Sequence, residues 1–124
     1  MAHEGLHEAA EDLSQETRDI HRALISLQEE LEAVDWYRQR ADACGDAHLK
    51  SILIHNMQEE MEHAAMLIEW MRRADSEFDT QLRTYLFTEA PITEVEEVAE
   101  AEESSPESAA TVSVPTIGAL KEKQ

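Results

Sequence analysis

The chain has 124 residues and a formal net charge of −18, with 28 Asp and Glu against 10 Lys and Arg. Its length sets one small domain as the expectation, and its charge argues against nucleic acid or an anionic membrane surface as a partner. Three Gly, three Pro and few aromatic residues speak against strands and tight turns, while abundant Ala, Leu, Glu, Gln, Arg and Met favour helix.

Cys44 is the only cysteine, so no disulfide can form within the chain. Met1 to Glu16 is polar and acidic and lacks a signal-type apolar core. No run elsewhere is long and apolar enough to span a bilayer. A cytoplasmic location is expected. The acidity suits the collection of cations, and it equally suits plain solubility.

Residues 1–13 read as a flexible N-terminal arm, frayed or partly helical. His3 and His7 are four apart and could hold a metal if the arm were helical. Ser14 reads as the N-cap of a first helix running to about Ala43. Ile20, Leu24, Leu27, Leu31, Val34 and Ala41 recur in steps of four and three, with Arg38 in the one polar slot. A second line of Ala23, Leu27, Glu30, Val34, Tyr37 and Ala41 runs beside it. Cys44-Gly45-Asp46 interrupts the pattern, Gly45 suiting a position just past a helix end and Asp46 the next N-cap. A second helix is expected from about Ala47 to Arg73, with Leu49, Leu53, Asn56, Glu60, His63, Leu67 and Trp70 on its stripe. So short a connection predicts an antiparallel hairpin.

Ser76 to Phe87 reads as a short third helix with an exposed apolar face, which closes a helical region at 14–88. Residues 89–112 are rich in Glu, Ser, Ala and Pro, and no Lys or Arg occurs between Arg83 and Lys121. That composition reads as an acidic disordered linker. Residues 113–124 restore apolar residues in Val114-Pro115-Thr116-Ile117-Gly118-Ala119-Leu120, the form of a docking peptide on a tether.

Two helices of about 40 Å cannot cover both of their apolar faces by themselves. With no disulfide available, a second copy is the simplest partner, and two hairpins related by a two-fold axis make a four-helix bundle. The expected fold is therefore all-α: a two-helix hairpin plus a short third helix, completed by homodimerisation.

Glu60 and His63 occupy an apolar stripe three residues apart, and Glu30 occupies the second line of the first helix. A carboxylate and an imidazole pointing into a helical core are costly without a partner, and a metal ion is one such partner. Di-iron carboxylate bundles take a Glu from each of two helices and a Glu-x-x-His from each of two others. This chain supplies one of each, so a symmetric dimer would supply the set. Four carboxylates and two imidazoles suit iron.

Three strings carry a family resemblance. Ser26-Leu27-Gln28-Glu29-Glu30-Leu31-Glu32-Ala33-Val34-Asp35-Trp36-Tyr37 resembles the first helix of the encapsulated ferritins. Glu59-Glu60-Met61-Glu62-His63-Ala64-Ala65-Met66, followed by Glu69-Trp70, resembles their second. Arg83-Thr84-Tyr85-Leu86-Phe87-Thr88-Glu89 resembles the segment after it. Ile117-Gly118-Ala119-Leu120 is similar to the short peptides that direct cargo into encapsulin shells. The resemblance implies a ferroxidase that oxidises Fe(II) with dioxygen at a di-iron centre between two chains. It implies dimers built into a ring of ten, inside an encapsulin nanocompartment that stores the mineral. It makes Glu30, Glu60 and His63 the iron ligands, Glu30 the bridge between metals, and Tyr37 a neighbour of the centre. It puts Glu29 and Glu32 on the path by which metal arrives, flanked by Trp36. Other divalent cations such as calcium also suit so acidic an interface.

Two other readings compete. One is an acidic helical cargo or scaffold protein that binds divalent metals without catalysis. The other is a di-iron protein with a different redox task. His21, His48 and His55 lack matching carboxylates on the core stripes, and surface or structural roles are expected for them. Met57, Met61, Met66 and Met71 suit packing at an adaptable interface.

Overall fold

The computed structural model describes residues 5–103. His3 and the C-terminal peptide lie outside the described residues. The elements in order are a 3-10 turn at Ala10–Asp12, α1 at Gln15–Ala43, α2 at Ala47–Ala74, α3 at Ser76–Tyr85, a 3-10 turn at Ile92–Glu94 and α4 at Val95–Glu103. No strand occurs among the described residues. The chain divides into two units, Met1–Asp79 and Thr80–Gln124.

Local chemistry sets the helix ends. Ser14 caps α1 by accepting from the Thr17 backbone N–H at 3.1 Å. Asp46 caps α2 by accepting from Leu49 N–H at 2.8 Å. Asp75 follows α2 and accepts from Glu77 and Phe78 N–H at 2.8 and 3.0 Å, which starts α3. Each carboxylate or hydroxyl satisfies a donor that a helix start would leave open, and the negative charge suits the positive end of the dipole. Arg18 reaches back from α1 and donates to the carbonyl of Ala10, tying the 3-10 turn of the arm to the helix.

Gly45 departs from the sequence reading. No glycine among the described residues has a positive φ, and the chain leaves α1 through Cys44 in an extended conformation. The turn between α1 and α2 thus makes no use of glycine's left-handed freedom. Phe87 takes that conformation instead, with φ 60 and its side chain fully exposed.

α1 and α2 pack against one another. The buried residues of this unit are Ala23 and Ala41 on α1 and Ala64 and Met71 on α2. Small side chains at three of these four places let two backbones approach closely. Of the two lines read on α1, the second is covered throughout, with Leu27, Glu30, Val34 and Tyr37 half-buried between Ala23 and Ala41, while the first is covered at Ile20 and Leu24 and at the residues the two lines share. Leu31, on the first line, is 52% exposed. The stripe of α2 divides similarly, with Leu53, Asn56, Glu60 and Leu67 half-buried and Leu49, His63 and Trp70 exposed. Ile52 and Met66 stand further out, at 56% and 63% exposed.

Arg72 fastens α3 to the end of α2. Its Nε and Nη2 donate to the two carboxylate oxygens of Glu69, both at 2.8 Å, and its Nη1 donates to Asp79. Arg73 Nε donates to the same Glu69 at 2.7 Å. Arg72 first, then Arg73, hold the Glu69 carboxyl down from 4.5 to about 2.

In the second unit, Thr88 Oγ1 donates to the Tyr85 carbonyl at 2.8 Å as α3 ends. Residues 89–112 read as a disordered linker from composition, yet Val95–Glu103 is helical. Ala and Glu are strong helix formers, and Glu96 and Glu97 lie in the first turn where the dipole favours them. No helix of the described residues is long and apolar enough to cross a membrane.

Removing a cap should cost about 1 kcal/mol, so Asp46→Ala should lower the free energy of urea unfolding by that amount. Glu69 gives a pH signature. Its folded pKa is depressed, so its stabilisation is full above 4.5 and is lost as pH falls through about 2. The Tm gap between the wild-type chain and Glu69→Gln should be present at neutral pH and close across that window.

Candidate metal centre

Glu30 stands on the inward line of α1, near mid-helix. Glu60 and His63 stand one turn apart at the middle of α2. The packing of α1 on α2 brings the three together. Their nearest donor atoms all lie within 4.8 Å of one another. His63 Nδ1 is 3.3 Å from Glu30 Oε2 and 3.6 Å from Glu60 Oε2. The Glu30 and Glu60 side chains are each 24% exposed, and that of His63 is 45% exposed. The cluster is thus walled by α1 and α2 on one side and open at His63.

One atom defines its chemistry. Glu30 Oε2 is screened from solvent and has no hydrogen-bond partner, because His63 lies at hydrogen-bonding distance without the geometry of one. A screened carboxylate oxygen without a donor carries a desolvation cost that a cation would remove. The nearby Glu60 carboxyl, close enough to share a proton, raises the Glu30 carboxyl above its ordinary range; screening adds to the rise and His63 opposes it. Desolvation lowers the His63 imidazole, but Glu30 and then Glu60 outweigh it, and the net shift is upward. Both shifts run towards protonation. Without a cation the cluster draws protons, and a divalent ion offers the same neutralisation with more charge. Two carboxylates and one imidazole make a mixed oxygen and nitrogen donor set that fits iron.

The other residues named from sequence lie outside this cluster. Glu29 and Glu32 are exposed on α1. Trp36 is 48% exposed and Tyr37 half-buried, two turns from Glu30 on the same helix. A second group of donors, Glu59, Glu62 and His63, is exposed on α2 and shares His63 with the first. His55 Nε2 pairs with Glu59 at 3.3 Å. His7 and His48 are exposed and His21 is half-buried, and none joins a group of donor atoms among the described residues. An open groove of about 610 Å³ lies elsewhere, against Glu16, Arg72, Arg73, Asp75 and Asp79. Its arginines are engaged by Glu69 and Asp79, and none of its residues belongs to a group of metal donors.

Sequence reasoning missed Arg40, whose guanidinium lies over the rings of both Trp36 and Tyr37. The signal was available, since Arg40 follows them at the i+4 and i+3 spacings that meet on a helix.

Residues 5–89 match the family described as EncFtn-like. The chain belongs to the EncFtn-like family. A protein of Rhodospirillum rubrum described as an encapsulated ferritin-like protein is 57% identical over 99 residues, which are 80% of this chain and 71% of that one. A protein of Myxococcus xanthus described as an encapsulin nanocompartment cargo protein is 40% identical over 53 residues, 43% of this chain and 41% of that one. A crystal structure of a Nitrosomonas europaea protein is 62% identical, with a TM-score of 0.68 over 71% of this chain and 97% of that one. The EncFtn-like match spans α1, α2 and α3 and so contains the whole three-residue cluster.

Glu30→Gln separates stability from binding. It removes one of two crowded carboxylates, so the metal-free protein should unfold at an equal or higher urea concentration. Co(II) binding should weaken at least about tenfold, the loss that even an outer partner of a metal site causes. Titration of Co(II) by its visible absorption, beside urea curves without metal, checks both.

Proposed function

We propose that the protein is a ferroxidase, oxidising Fe(II) with dioxygen at a centre completed by two copies of the chain and passing iron to storage inside an encapsulin shell. The observation that carries this reading is the convergence of Glu30, Glu60 and His63, with one screened oxygen of Glu30 lacking a donor. Membership of the EncFtn-like family supports it, as do relatives described as encapsulated ferritin-like and as encapsulin cargo.

One chain offers two carboxylates and one imidazole, half of the set that di-iron carboxylate bundles use. In this reading α1 and α2 form an antiparallel hairpin, and a two-fold axis brings a second hairpin against it. The exposed apolar residues support the pairing: Leu31 and Trp36 on α1, and Leu49, Ile52, Met66 and Trp70 on α2, are left uncovered along the two helices where a second hairpin could cover them. The ring of ten implied by the family resemblance would be a further level of the same assembly.

Fe(II) is the substrate, giving up one electron per ion to dioxygen. Glu30, set where two copies meet, would bridge the two ions and neutralise charge that the screened site cannot leave to water. Glu60 and His63 would hold each ion at its outer side, and the open edge at His63 leaves room for dioxygen. Tyr37 would orient the ligand face from two turns along α1. Glu29 and Glu32 would raise the local concentration of Fe(II) beside Trp36 on the approach. The linker at 89–112 would tether the peptide at 113–124, which would dock to the shell.

A second reading has its own support. Glu59, Glu62 and His63 are exposed and lie within reach of one ion, as expected of an acidic scaffold that collects calcium or other divalent cations without oxidising anything.

Single changes Glu30→Ala, Glu60→Ala and His63→Ala separate the two. The ferroxidase reading expects each to lower Fe(II) oxidation by at least about a hundredfold with helical content kept, since a change present in both copies removes a ligand from both ions. Unchanged rates favour the scaffold. Deleting residues 114–124 should leave oxidation intact and end co-purification with the shell; continued co-purification refutes the docking role.

A further inference from the structure

Polar residues break the stripe of α2 at three successive places, Asn56, Glu60 and His63, between Leu53 and Leu67. The metal cluster accounts for Glu60 and His63. It does not account for Asn56, which is half-buried one turn before Glu60. Asparagine is a weak helix former, and a half-buried amide gives up water for no apolar gain. Leucine would suit both the helix and the stripe better. No hydrogen bond engages the Asn56 side chain among the described residues. Its two N–H donors are therefore uncommitted.

Helix geometry says what those donors can reach. Side chains on a helix lean towards its N-terminus, over the turn before their own. His63 shows this lean on α2, with Nδ1 3.6 Å from Glu60 Oε2. The same lean carries the Glu60 carboxylate back over the turn that holds Asn56. Residues four apart on one helix face have Cβ atoms about 5–6 Å apart, close enough for their side chains to meet. Glu60 turns Oε2 to His63, which leaves Oε1 as the oxygen that a donor on the preceding turn can take. Carboxylates that bind metal are themselves hydrogen-bonded, and that second contact fixes how they face the ion.

We propose that Asn56 is a positioning residue for the metal centre: its side-chain N–H donates to Glu60 Oε1 and so presents Glu60 Oε2 to the ion. The proposal rests on the ligand set of the reading above and adds the group that orients one of its members. An amide suits the task. It carries no charge, so it steadies Glu60 without repelling the cation and without adding a third carboxylate beside Glu30 and Glu60. The polar break in the α2 stripe then has one purpose over its whole length, with two ligands and the residue that aims the first of them.

The test measures Co(II) affinity, the visible Co(II) spectrum and metal-free urea unfolding in the full chain. Asn56→Leu should weaken Co(II) binding about tenfold and shift the visible bands. Its metal-free urea midpoint should hold or rise, because an apolar residue completes the stripe. The same change in a Glu60→Gln background should cost less than about twofold in affinity, since Asn56 acts through the Glu60 carboxylate. Equal losses in the two backgrounds overturn the proposal, and so does an unchanged affinity in Asn56→Leu. A lower affinity accompanied by a lower urea midpoint assigns Asn56 to packing and overturns it too. A parent chain that binds Co(II) but oxidises no Fe(II) overturns the ferroxidase reading alone, and the comparison of backgrounds still decides the role of Asn56. A parent chain that binds no Co(II) overturns both.

Discussion

Glu30 sits near mid-α1, on the line of residues that packs against α2, with one carboxylate oxygen screened from water and without a hydrogen bond. An apolar side chain there would fit the line formed by Leu27 and Val34. The carboxylate instead adds a desolvation cost, made larger by the Glu60 carboxyl beside it. His63 relieves part of that cost from 3.3 Å without meeting the geometry of a hydrogen bond. Sites that carry a local cost in the resting fold are where function concentrates. Here the strain is electrostatic, and a divalent cation would remove it.

The same helices explain why the site has to be placed by packing. Glu60 and His63 are aligned by α2 alone, one turn apart. Glu30 comes from another helix, and only the close approach allowed by Ala23, Ala41 and Ala64 brings it to them. Stability therefore comes from contacts at the ends and along the inward line: the caps at Ser14, Asp46 and Asp75, and the Arg72 network that ties Glu69 to Asp79. These leave mid-helix free to hold polar ligands. The exposed leucine, isoleucine, methionine and tryptophan residues along α1 and α2 add little to a lone chain and suit a partner helix.

Much of this was legible in the residues. Helix limits follow from Ser14 and Asp46, whose side chains make the expected caps, and the cluster follows from three polar residues on apolar spacing. Spacing alone did not decide between the two lines of α1. Both have steps of four and three and share Leu27, Val34 and Ala41; packing covers Glu30 and Tyr37 of the second but leaves Leu31 and Arg38 of the first exposed. Gly45 misled because glycine permits a left-handed turn without requiring one, and Cys44 extends the chain instead. The acidic stretch after Thr88 read as linker from charge, but the helix propensity of Ala and Glu forms α4 within it. Arg40 follows Trp36 and Tyr37 at the i+4 and i+3 spacings, and the structure sets its guanidinium over both rings.

That a single chain holds half of a site, and that oligomer interface and active site are one surface, is tested most directly by crystallography of the full chain grown anaerobically with Fe(II). Anomalous density should lie on a two-fold axis, bound by Glu30, Glu60 and His63 from each of two chains. Iron held by one chain alone, or only by the exposed Glu59 and Glu62, would contradict it.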